Sequence, residues 1–134
     1  VIRVATPVEV NAIANHPDVQ ERMGAGEMDF TQALADERCV GLVYKGFCGL
    51  FVWSSPGIYE GHVMACPGDR GRVAIDLALQ AFEWMKGMGA KTIWAQPSVN
   101  NRAALWYVNT LGMVPCGKGT HPIVGDVRYF LKDL

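Results

Sequence analysis

No CxxC pair, no cluster of histidines and no Walker-type glycine spacing occurs in this sequence. Cys39, Cys48, Cys66 and Cys116 stand far apart, as do His16, His62 and His121. That scatter argues against a metal site and reads as free thiols in a reducing, cytoplasmic setting. An excess of charge of one sign is also missing. The formal net charge is -1, so nothing in the balance calls for a nucleic-acid surface. Apolar runs break at charge, Gly or Pro well short of a membrane-spanning length, and no signal-peptide pattern opens the chain. Internal repeats and low-complexity linkers are absent as well. What remains is a chain of 134 residues, 50% hydrophobic and 19% charged, which reads as one domain over 1–134 with a real core.

The stretch that organises the rest is 59–87. Residues 59–66 read as a strand, Pro67-Gly68 and Arg70-Gly71 as a tight turn, and the residues from Arg72 as the longest helix of the chain. Ile75, Leu79, Phe82 and Met85 recur at helical spacing, Ala78 widens the stripe, and Leu77, Ala81 and Trp84 extend it around the cylinder. A helix this apolar packs on a sheet. The turn before it offers successive backbone N–H groups at a helix start, flanked by Arg70 and Arg72, which is a setting for an anion. The same residues also read as an ordinary turn with solvated arginines.

Upstream, residues 1–5 read as a short strand, and Thr6-Pro7 caps a helix through Ala14 that His16-Pro17 ends. Between Asp18 and Asp36 the glycines Gly24 and Gly26 suggest irregular chain with one or two helical turns, Asp29 capping a short helix over 30–37. Residues 39–45 and 47–53 form two strands around a tight turn at Gly46, and 59–66 continues an antiparallel meander. After the long helix come a buried strand at 92–95 and a helix over 102–111, capped by Asn101 and stopped by Gly112. Strands at 113–116 and 127–134 close the order, separated by a loop through Gly119, Pro122 and Gly125. Trp53, Trp84, Trp94 and Trp106 read as packing residues of the sheet and helices.

This order resembles the GCN5-related N-acetyltransferase family, and two blocks carry the resemblance. The family's coenzyme loop has Arg or Gln, two variable residues, Gly, one variable residue, then Gly or Ala. Here Arg70, Gly71, Arg72, Val73, Ala74 and Ile75 stand in its place, with Val73 and Ile75 at the usually small positions. Cys66-Pro67 is similar to the family's strand-to-loop approach. The second block has Asn, a small residue three positions on, and a Gly-aromatic helix end; Asn101, Ala104 and Gly112-Met113 keep that spacing, with Met for the aromatic.

The resemblance implies an α/β (α+β) fold: a mixed, mostly antiparallel sheet of six or seven strands with helices on both faces. It further implies acetyl-CoA or another acyl-CoA as co-substrate, a small-molecule or protein amine as acceptor, and direct transfer in a ternary complex. Met64, Ala65 and Cys66 would meet the pantetheine arm, Arg70 through Ile75 the pyrophosphate, and Asn101 would belong to the same site. Glu60 and His62 are the nearest ionisable residues on the strand before the loop, and alternation puts both on one face. His62 is the preferred base, since histidine ordinarily titrates near neutrality. Many relatives carry Tyr seven residues after the Asn of the second block. Val108 holds that position here and Tyr107 is its neighbour, the candidate acid. The rival expectation is a non-catalytic binding or structural protein that keeps the fold, working as a homodimer or with a protein partner; short phage-encoded domains offer a weaker resemblance.

Overall fold

A computed structural model describes residues 1–23 and 26–134, so the expectation for Gly24 lies outside the described residues. Seven strands, β1 (Arg3–Val4), β2 (Val40–Tyr44), β3 (Phe47–Ser55), β4 (Ile58–Ala65), β5 (Thr92–Ala95), β6 (Val114–His121) and β7 (Gly125–Asp133), form one sheet in the order β1-β2-β3-β4-β5-β7-β6. Every neighbouring pair is antiparallel except β4–β5, whose parallel crossover runs through the long helix α4 (Arg72–Gly87). The mixed, mostly antiparallel sheet expected from the sequence is therefore present.

Strand alternation divides the core in two. Phe47 and Phe51 of β3 face α4 and join Ala74, Ile75, Ala78, Phe82 and Met85. Cys48 and Leu50, one residue out of phase, face the other side, where Val10, Ile13 and Ala14 of helix α1 (Pro7–Ala14) and Val19 of helix α2 (Pro17–Met23) cover them. Helices thus lie on both faces. Thr6 caps α1 through a reciprocal capping box with Glu9, and Arg3 reaches over to pair with the same carboxylate.

Several expectations need correction. Leu79 and Trp84 are each 37% exposed, because the buried arc of α4 centres on Ala78 and these two flank it at roughly 100° and 120° around the helix. Trp106 is 54% exposed on helix α5 (Arg102–Thr110), turned roughly 160° from the buried Val108. His16-Pro17 does not open irregular chain: Pro17 sits at the start of α2, where its missing N–H costs nothing. Helix α3 is shorter than expected, Thr31–Ala35, and Asp29 accepts from the Thr31 amide and hydroxyl just ahead of it. The largest difference is at the end of the chain, where the expected loop through Gly119 is strand. Glycine is there because Tyr129 lies across β6; a Cβ on Gly119 would meet its ring at 3.0 Å.

Candidate active site

β4 and β5 touch over only three residues, Ile58–Glu60 against Thr92–Trp94. Beyond Glu60, β4 continues to Ala65 paired with β3 alone, while β5 ends at Ala95. The sheet splits, and a cleft of about 920 Å3 opens in the gap. The Cys66 amide donates to the Gly46 carbonyl on the β3 side. Alternation therefore turns the backbone groups of Gly61, Val63 and Ala65 to the side away from β3, where those of Val63 can pair with an extended ligand while the Ala65 carbonyl takes the Arg70 guanidinium.

The expected base candidates stand at the fork. Glu60 and His62 share the α1–α2 face of β4, with His62 Nε2 3.1 Å from Glu60 Oε1. Gln96, in the connection after β5, donates to the other carboxylate oxygen at 2.7 Å. Burial opposes ionisation of Glu60. The hydrogen bond and charge of His62, the Gln96 amide and the charge of His121 outweigh it and hold the carboxyl below its ordinary value. The hydrogen bond assigns the proton of neutral His62 to Nε2 and leaves Nδ1 as an acceptor.

Two members of this cluster were not legible in the sequence. Gln96 falls in what reads as plain connection, and His121 falls in the supposed loop 117–126. The β6–β7 turn brings His121, Ile123 and Val124 onto the cleft. His121 Nδ1 accepts from the Ile123 amide at 3.1 Å, which fixes that ring at the hairpin tip.

At the far end of the open strand, a 3-10 turn over Pro67–Asp69 leads to Gly71, the N-cap of α4, at φ +70. This left-handed conformation suits glycine, and no atom lies within 4 Å of where its Cβ would stand. The first in-helix amide bond is made by Ile75 to Gly71, leaving the amides of Arg72, Val73 and Ala74 directed outward from the helix start. Ile75 is buried in the core, and Val73, 49% exposed, does not line the cleft, so neither branched side chain fills the helix mouth. Arg70 lines the cleft beside the helix start and is anchored there by two backbone carbonyls. Its guanidinium donates to the Ala65 carbonyl at 2.9 Å and to the Asp18 carbonyl at 3.0 Å, tying the end of β4 to α2. Arg72 is solvated and lies 3.5 Å from Asp76. Cys66 is half-buried, and burial pushes its thiol up.

The remaining wall comes from α5 and α2. Asn101 caps α5 by accepting from the Ala104 amide at 3.0 Å, and its side-chain amide reaches the Arg22 carbonyl at 3.4 Å. Tyr107 lines the cleft, but its hydroxyl donates to the Ala74 carbonyl in the first turns of α4 at 2.6 Å. Burial pushes this phenol above its ordinary value. Val108 is buried beside it. Opposite, Asn11 of α1 and Asn15, which caps its C-terminus, bind the backbone of Phe30 and Met28 and set that segment against the cleft. Among the described residues, no group of three or more His, Cys, Asp or Glu stands where a metal ion would be held. No helix among them is long and apolar enough to cross a membrane.

No protein-family model matches the sequence, and no curated protein sequence matches it significantly. Solved structures do match. An aminoglycoside acetyltransferase, AAC(6')-Ib, in complex with coenzyme A superposes with a TM-score of 0.77 at 17% identity, covering 98% of this chain and 93% of that one. A spermidine N-acetyltransferase from Vibrio cholerae, in complex with CoA and spermine, gives 0.78 at 12% identity, covering 99% and 94%. Identities this low speak to the fold. The split sheet, the strand order and these superpositions over nearly the whole chain agree that the fold is that of the GCN5-related acyl-CoA N-acetyltransferases.

Proposed function

We propose that this chain is an acyl-CoA-dependent N-acyltransferase, with acetyl-CoA as donor and an amine as acceptor. The observation that carries the reading is the fork between β4 and β5, which joins an open strand edge to the free N-terminus of α4. The Val63 backbone groups and the Ala65 amide, on the edge that β5 leaves open, suit an amide-bearing arm. The Arg72, Val73 and Ala74 amides, at the positive end of a helix of 16 residues, suit a pyrophosphate. Met64 is buried in the core on the α1–α2 face and also lines the cleft.

The donor supplies an activated carbonyl and a thiolate leaving group. His62 supplies the base. Glu60 holds its Nε2–H, Gln96 holds Glu60, and Nδ1 is left to take one proton from the acceptor ammonium. The neutral amine then attacks the thioester carbonyl, the C–N bond forms as the C–S bond breaks, and the second proton of the nitrogen passes to the departing thiolate. Backbone donors along the open edge of β4 polarise the carbonyl. Tyr107, whose proton is engaged by Ala74, acts as a clasp between α5 and α4.

The rival, a fold retained without catalysis, draws on the engagement of Arg70 and Tyr107 in structural bonds. A thiol-release assay with acetyl-CoA and a broad amine panel separates the two. Turnover that falls in Glu60→Gln and His62→Ala supports the enzyme. Silence across the panel despite confirmed coenzyme binding supports the rival.

A further inference from the structure

The acceptor half of the cleft differs in charge from what a polycation needs. Glu60, His62 and Met64 share one face of β4, and Met64 belongs to the core cluster against which Met23, Met28 and Phe30 pack. These three side chains also line the cleft. Ile123 and Val124 face them from the β6–β7 hairpin tip, which His121 ties to the same site through its charge on Glu60. The wall around the base is therefore thioether, aromatic and branched aliphatic.

Glu60 is the only carboxylate that lines the cleft among the described residues. The other ionisable lining groups include Arg22, Arg70 and Arg102 together with His62 and His121. Asp29 and Asp126, on the segments that bear Phe30 and the β6–β7 hairpin, do not line the cleft. A ligand with several ammonium groups would bring one into reach of Glu60 and find no second carboxylate along the lining for the others. A ligand with one amine on an apolar body meets one carboxylate at its head and Met, Phe and Ile along its length.

We infer that the acceptor is a monoamine carried on an aromatic or branched apolar body, and that the cleft discriminates against polyamines and aminoglycosides. This rests on the acyltransferase reading. The test compares 2-phenylethylamine with spermidine and kanamycin in a thiol-release assay on the whole chain, with acetyl-CoA binding measured alongside by calorimetry. The expected result is a kcat/KM for 2-phenylethylamine about tenfold or more above that of either polycation. Ile123→Asp adds a second carboxylate at a residue that is 70% exposed and outside both core clusters. It should move the spermidine to phenylethylamine ratio up by about tenfold with acetyl-CoA affinity unchanged. A preference for spermidine or kanamycin overturns the acceptor class and leaves the acyltransferase reading standing, and an unchanged ratio in Ile123→Asp overturns the class too. No acetyl-CoA binding, or binding with no thiol release on any amine, overturns both.

Discussion

Replacing Tyr107 by Phe separates a clasp from an acid. The hydroxyl donates to the Ala74 carbonyl at 2.6 Å from a largely buried ring. Phe keeps the ring and opens no cavity, and Ala74, inside α4, keeps its own helical partner. The loss is then one net hydrogen bond, about 1 kcal/mol. At roughly 2 cal/mol/K of unfolding entropy per residue, a chain of 134 residues loses about 3 to 4 °C in Tm for that change. Differential scanning calorimetry reads the shift, and a thiol-release assay on the best amine reads turnover. The clasp predicts the Tm loss with turnover within about twofold of the parent. A general acid predicts the reverse, with Tm nearly unchanged and turnover down about a hundredfold or more. That second pattern would make Tyr107 the acid and not a clasp.

Other substitutions follow from the same geometry. Glu60→Gln and His62→Ala should each lower turnover by about a hundredfold while acetyl-CoA affinity, measured by titration, stays close to that of the parent. Asn101→Ala removes the cap of α5 and should cost about 1 kcal/mol, again a fall of a few degrees in Tm by calorimetry. The hydrogen bond from Arg3, followed by the Thr6 backbone, holds the Glu9 carboxyl down at about 2. Because the folded value is depressed, its stabilisation is fully present above the ordinary carboxylate range and is lost as pH falls toward about 2. The Tm difference between the parent and Glu9→Gln should therefore shrink as pH is lowered from 6 to about 2.

The fold was legible where local chemistry and packing agree. Thr6-Pro7 announces α1, Gly71 with Arg72 announces α4, and Asn101 with Ala104 announces α5, because caps act within a turn of the residues that make them. Glu60 and His62 were legible as a pair because strand alternation fixes a shared face before any tertiary contact forms. What sequence spacing misses is long-range. Gln96 reaches Glu60 across 36 positions, and His121 reaches it only once β6 and β7 pair as one long hairpin. Gly119, which made this segment read as loop, is there for the Tyr129 ring, a contact without local signature, while Gly125 has no such contact and opens β7 at φ +78. Arg70 shows the same limit. Its position beside the helix start suggests an anion, yet the Asp18 carbonyl, far away in sequence, is close enough to take its guanidinium.

If the fork between β4 and β5 receives an acyl-CoA, isothermal titration of the whole chain with acetyl-CoA, and with coenzyme A in parallel, shows saturable binding. Gly71→Val, which places a branched side chain at the N-cap of α4, weakens it. No heat of binding at millimolar acetyl-CoA would rule the fork out as a coenzyme site.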